Sequence, residues 1–86
     1  MYYVYILKSK KDDELYTGST NNLVKRFNEH NSGKVFSTKS RHPFMLIYYE
    51  AYADESDARH REHNLKLRAN ALSQLKQRIS QSLKVH

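Results

Sequence analysis

Five side chains in this 86-residue sequence stand where a bland fold would not need them: Tyr5, Tyr16, Arg26, His30 and Glu62. A phenol titrates near 10, so it acts as a base at neutral pH only when a neighbour takes or shares its proton. An imidazole is the side chain suited to that exchange. A guanidinium offers a permanent planar charge that matches phosphate. A glutamate is a hard oxygen ligand of the kind Mg²⁺ takes, because that ion keeps several waters and needs only one or two carboxylates.

The elements that must position these groups are legible in the order of the residues. Tyr16-Thr17-Gly18 reads as the end of a strand that carries a phenol and leaves through a glycine. Thr20, Asn21 and Asn22 are candidate helix N-caps, Leu23, Val24 and Phe27 form an apolar stripe, and Asn31-Ser32-Gly33 stops the helix. Arg26 and His30 are about 40° apart on its wheel, at the margin of that stripe, from which both reach a sheet edge. Tyr2 to Leu7 is β-branched and aromatic on both faces, as a central strand covered from two sides would be. A turn around Asp12-Asp13 returns the chain as a hairpin, and matching parity puts Tyr5 and Tyr16 on one face.

Lys34 to His42 is a polar, cationic connection closed by Pro43, and Phe44 to Tyr52 is a third strand. Strict alternation predicts Leu46, Tyr48, Glu50 and Tyr52 on one face, with Met45, Ile47, Tyr49 and Ala51 on the other. Asp54 is the N-cap of a long helical stretch in which Ala58, Glu62 and Leu65 fall within about 60° of one another. Glu62 therefore points where an apolar residue is expected. Leu72, Leu75, Ile79 and Leu83 continue the pattern, either as one long helix or as two broken near Arg68-Ala69-Asn70.

Length predicts a single domain over residues 1–86, with a core in 1–68 and a C-terminal helix over 70–84. The absence of Cys excludes disulfides and thiolate metal sites and fits a reducing cytoplasm. The apolar opening is too short for a signal-peptide core or a membrane span. Fifteen Lys and Arg against nine Asp and Glu give a net charge of +6, which favours a polyanionic partner such as DNA or RNA.

Taken in order, Tyr3-Val4-Tyr5, then Tyr16-Thr17-Gly18 after ten intervening residues, then Arg26 and His30, then Arg61-Glu62, resemble the GIY-YIG nuclease family. The likeness is to its small single-domain bacterial members, in which phrases similar to Glu29-His30-Asn31-Ser32-Gly33-Lys34 and Tyr48-Tyr49-Glu50 also recur. It covers residues 1 to 68. The resemblance implies an α+β fold with a three-stranded antiparallel sheet flanked by helices. It also implies hydrolysis of DNA phosphodiesters assisted by one divalent metal, Mg²⁺ or Mn²⁺. Tyr5 and Tyr16 match the two motif tyrosines, Arg26 the essential arginine, His30 a position held by His or Tyr, and Glu62 the metal-binding glutamate. Tyr5 is read as the base relayed by His30, with Tyr16 positioning water or phosphate; the reverse assignment of the two phenols stays open.

Lys34, Lys39 and Arg41 in the loop, with Arg59, Lys66 and Arg68 further on, are the candidate phosphate contacts, of a kind that grips the backbone without reading sequence. The alternative function is a nucleic-acid-binding module on the same fold with weak or no catalysis. In that reading Glu62 is a structural ion-pair partner of Arg26 or Arg61. His60 and His63 are conceivable zinc ligands, but no second pair is near in sequence. Three residues depart from the family pattern: Tyr3 stands for a glycine, Thr17 for a branched aliphatic, and Ser19 for a lysine found in some members. The missing lysine puts more of the proton relay on His30.

Overall fold

A computed structural model describes residues 1–85. The β-branched and aromatic opening forms strand β1 (Tyr2–Ser9), whose residues from Val4 to Ser9 are buried. Such a strand needs cover on both faces and partners on both edges. It has both, because β2 (Leu15–Thr20) and β3 (Phe44–Tyr52) flank it in an antiparallel sheet of order β2-β1-β3. The hairpin reverses through Asp13, which takes a positive φ of 59°, a conformation that Asp tolerates better than most residues.

Helix α1 (Leu23–Asn31) begins at Asn22, whose side chain accepts from the Lys25 N–H, and ends at Ser32 with Gly33 at φ 75° beyond it. Helix α2 (Glu55–Leu67) is capped by Asp54, with Glu55 and Asp57 in the first turn where acids complement the helix dipole. Two hydrophobic clusters form, one on each side of the sheet. Tyr5, Leu7 and Phe44 pack with Tyr16, Leu23 and Phe27 on the α1 side. Val4, Ile6, Ala58, Leu65, Leu75 and Ile79 pack on the α2 side.

The strict alternation expected in β3 fails at one residue. Ile6 faces Tyr48 while Leu7 faces Leu46, so Ile47 is an extra residue in a β-bulge. Ile47 and Tyr48 consequently both join the α2-side cluster, and Leu46 falls opposite Leu7 on the other face.

The C-terminal half forms two helices. Arg68 adopts an extended conformation (φ −117°, ψ 108°) between α2 and α3 (Ala69–Arg78). A continuous helix over these residues would run about 36 Å, longer than the 28 Å greatest extent of the molecule. Folding back lets Leu75 and Ile79 reach the core. The helix expected over 70–84 thus ends at Arg78, and a short 3₁₀ turn follows at Ser82–Lys84. That turn has a use: the Leu83 carbonyl accepts the Lys8 ammonium at 2.8 Å, giving the 8 % exposed cation a partner. Among the described residues no helix is long and apolar enough to cross a membrane.

Candidate active site

The short edge strand β2 lets groups from both faces of the sheet meet. Tyr5 faces Gly18 across the β1–β2 pair and Tyr16 faces Leu7, so the two phenols share the α1 side on a diagonal, with ring centroids 6.5 Å apart. Ser19 faces Val4 and therefore belongs to the α2 side. Helix α1 brings His30 under the phenols, with its ring 5.0 Å from Tyr16 and 5.8 Å from Tyr5 between centroids. The end of this helix is fixed to β3, since the Asn31 amide donates to the Phe44 carbonyl and accepts the Phe44 N–H.

The Tyr5 hydroxyl lies 2.9 Å from His30 Nε2, in a pair of residues that are 1 % and 0 % exposed. Burial pushes the Tyr5 phenol up to about 12, although the neighbouring Arg26 guanidinium pulls it the other way. Burial, joined by repulsion from Arg26, takes the His30 imidazole down to about 4. Both rings are therefore neutral near pH 7. Arg26 also bonds Glu29 at 3.3 Å, which holds the guanidinium beside the phenol.

Glu62 reaches the same edge from α2. Its carboxylate accepts the Ser19 hydroxyl at 2.6 Å and pairs with the Lys66 ammonium at 2.7 Å. Burial on its own would raise this carboxyl, but the two donors outweigh it and hold it below the usual range. Glu62 is thus ionised at neutral pH. Lys66 Nζ also stands 5.7 Å from the centre of the Tyr16 ring, which joins the two halves of the site. The structural partner of Glu62 is neither Arg26 nor Arg61, which pair with Glu29 and Glu50 instead.

A hollow of about 350 Å³ opens between the helices, lined by Ser19, Asn22, Lys25, Arg26 and Arg59 among others. A second of about 470 Å³ adjoins it through Ser19 and Arg59 and holds Glu62, His63 and Lys66. Of the six cations expected to contact phosphate, Arg59 and Lys66 line these hollows and Lys34, Lys39, Arg41 and Arg68 do not. Arg41 is bound to Asp12 at 2.9 Å, Lys39 lies over the Phe36 ring, and Arg68 bonds Asn64. Lys34 lies along α1 in a shallow depression.

Glu62 alone is a thin donor set for a metal, and among the described residues no three His, Asp or Glu groups cluster closely enough to cage one. That rules against a protein-enclosed zinc site at His60 and His63. It suits Mg²⁺, which is held by one or two carboxylates and completed by water and substrate phosphates.

Sequence reasoning missed three participants. Thr38 sits in a polar loop, where nothing in the composition separates a buried hydroxyl from a solvated one. Glu50, half-buried under α2, accepts Arg61 and the hydroxyls of Tyr48 and Tyr52. Lys25 lines the first hollow beside Arg26 and was legible only as one more helix cation.

Known proteins resemble this chain along most of its length. A family model described as the GIY-YIG catalytic domain matches residues 1–77, which carries the likeness past residue 68 and into α3. The UPF0213 protein CPE1444 of Clostridium perfringens is 48% identical over 67 residues, which are 77% of this chain and 71% of that protein. The UPF0213 protein SH2523 of Staphylococcus haemolyticus is 46% identical over 66 residues, 76% of this chain and 79% of that protein. The solution NMR structure of the UPF0213 protein BH0048 from Bacillus halodurans has a TM-score of 0.54 and 37% identity, covering 87% of this chain and 82% of that one.

Proposed function

The chain belongs to the GIY-YIG catalytic-domain family, and from that premise we propose that it is a divalent-metal-dependent endonuclease that hydrolyses DNA phosphodiester bonds with little sequence selectivity. The observation that carries this reading is the buried Tyr5–His30 pair beside Arg26, with an ionised Glu62 at the same sheet edge. Hydrolysis needs an activated water, stabilisation of charge on the phosphoryl oxygens and help for the leaving oxygen. Arg26 supplies a planar donor array for the phosphoryl oxygens. Tyr5 accepts the proton of the attacking water after passing its own to His30. Tyr16, more exposed than Tyr5, orients water or phosphate beside Lys66. A Mg²⁺ or Mn²⁺ ion held by Glu62 would polarise the phosphate and steady the leaving oxygen.

The phenol and imidazole are far apart in proton affinity in the free protein, so the transfer awaits the additional positive charge that the loaded site brings. Arg26 acts in that direction at Tyr5, where it favours the phenolate, and against it at His30, whose protonation it disfavours, so the added charge must lie nearer the phenol than the imidazole. Selectivity is low in this reading because the cations around the site are suited to the phosphate backbone, which carries no sequence information. The substrate site is assigned to the hollow between α1 and α2 and the one that adjoins it along β2 and α2, with Lys25, Arg59 and Lys66 as backbone contacts.

Nicking of supercoiled plasmid by wild type and Glu62→Ala, in Mg²⁺, in Mn²⁺ and with chelator, tests the proposal once both proteins are known to be folded. Metal-dependent nicking that the variant loses is the expected result. A second reading, a nucleic-acid-binding module without turnover, draws support from Lys66, whose ammonium already neutralises the carboxylate a metal would need. Salt-sensitive DNA binding with no nicking in either metal would favour it.

A further inference from the structure

Thr38 is fully buried in the connection between α1 and β3, a segment that is otherwise largely exposed. Its hydroxyl lies 2.8 Å from His30 Nδ1, while the opposite ring nitrogen faces Tyr5 at 2.9 Å. The same hydroxyl is 3.5 Å from the Val35 carbonyl, which also accepts the Thr38 N–H at 3.1 Å. Phenol, imidazole, hydroxyl and carbonyl thus stand in one line, and its three side chains are 1 % exposed or less.

Each hydroxyl carries one hydrogen and a neutral imidazole carries one on its ring, so three hydrogens must be placed along this line. Only two arrangements are consistent. In the first, Tyr5 O–H donates to Nε2, Nδ1–H donates to Thr38 Oγ1, and the Thr38 hydrogen points to Val35. Every hydrogen then ends on an acceptor. In the second, Thr38 donates to Nδ1 and Nε2–H donates to the Tyr5 oxygen, which leaves the phenol hydrogen of a buried residue with no acceptor among the described residues. A buried donor without a partner is the costlier fault, whereas the first arrangement asks only that the Thr38 hydroxyl make a long, weak bond to Val35.

We infer that Thr38 is a positioning residue that fixes His30 in the Nδ1–H tautomer, so that the Nε2 lone pair is presented to Tyr5. The inference rests on the proposed role of the Tyr5–His30 pair. In the step it serves, the Tyr5 O–H bond breaks and an Nε2–H bond forms, while Nδ1–H stays on Thr38 and stabilises the imidazolium. The phenolate oxygen takes the proton of the attacking water. Reverse transfer from Nε2 restores Tyr5 once the phenol has passed that proton to solvent.

Long-range ¹H–¹⁵N NMR of the metal-free full chain reads the tautomer without reference to activity. Wild type and Thr38→Ser should both show a protonated Nδ1 and an unprotonated Nε2 at His30. Thr38→Val, which keeps the shape and removes the hydroxyl, leaves Nδ1–H without its acceptor and should bring the Nε2–H tautomer into a measurable mixture. In plasmid nicking, Thr38→Val should lower kcat about tenfold or more with KM unchanged, and Thr38→Ser should restore it. A protonated Nε2 in wild type overturns the inference, as does a Thr38→Val protein whose tautomer is unchanged. Should Thr38→Val not fold, the spectra of wild type and Thr38→Ser still decide between the two arrangements. Should no form nick DNA, the nuclease reading fails while the tautomer result stands by itself.

Discussion

The Tyr5 hydroxyl lies so close over Gly18 that a Cβ at Gly18 would stand 2.4 Å from it and 2.6 Å from the ring carbon that bears it. Glycine is needed here for space, since the strand conformation itself is ordinary. Gly18→Ala must push the phenol off His30 or part the two strands. We expect a loss of about 1 to 3 kcal/mol, as for other overpacked cores, measured by urea unfolding, together with loss of nicking. An alanine variant as stable and active as wild type would contradict the geometry.

Glu62 and Lys66 form a pair that a metal must open. Lys66→Met should therefore lower the Mg²⁺ concentration that gives half-maximal nicking, while weakening DNA binding through the lost charge. Glu62→Gln keeps the shape of the side chain and the Ser19 contact but removes the charge. It should bind DNA at least as well as wild type and lose about a hundredfold or more in turnover.

His30 gives stability a defined pH dependence. Its pKa falls from the ordinary 6.5 to about 4 in the folded protein, so between those values the unfolded chain binds more protons. Stability is fully present above pH 6.5 and drains away as pH falls toward 4. The shift corresponds to a few kcal/mol, about 3 at most. His30→Gln should flatten this part of the curve, which chemical denaturation at a series of pH values would read. An equal slope in both proteins would sink the prediction.

Arg61 and Glu50 tie α2 to β3 on the far side of the sheet from the phenols. Burial opposes ionisation of Glu50, yet Arg61 and the hydroxyls of Tyr48 and Tyr52 hold its carboxyl below the usual range. Burial, reinforced by that carboxylate, pushes both phenols up to about 12. Arg61→Ala would leave the carboxylate with two neutral donors. Because both ions keep some solvent contact, the expected loss is about 2 kcal/mol, below that of a fully buried pair. Unfolding curves measure it, and Glu50→Gln combined with Arg61→Ala should recover part of it.

The two adjoining hollows predict which cations meet phosphate. Lys25→Ala and Arg59→Ala should each lower the slope of log affinity against log salt by about 1. Lys39→Ala and Arg41→Ala should leave that slope nearly unchanged. DNA-binding titrations across salt concentrations would separate the groups, and equal effects would mean that the loop carries the nucleic acid.

Much of the frame is legible in the chain because it depends on local repeat. Residue parity puts Tyr5 and Tyr16 on one face, and the observed register agrees. Asn22 and Asp54 cap their helices as their side chains suggest. The ordered tyrosine, arginine, histidine and glutamate motifs mark the family that the match over residues 1–77 shows. The bulge at Ile47 was not legible, since a run of alternating apolar residues looks the same with or without a slipped partner. The break at Arg68 was legible only as one of two alternatives, since no Gly or Pro announces it, and the size of the molecule the helices must fit decides for it.

What the sequence determined by itself is therefore the alternation of β1 and β2, the helix caps, the excess of positive charge and the ordered motif that marks the family. Periodicity and capping are properties of neighbouring residues, and they survive without knowledge of the rest of the chain. Tertiary structure alone decided that Lys66 neutralises Glu62, that Arg61 belongs to Glu50, and that Thr38 among the loop hydroxyls is the one closed over His30. Polar partners are chosen by distances of a few ångströms between segments far apart in sequence, and burial turns those distances into pKa shifts and fixed tautomers.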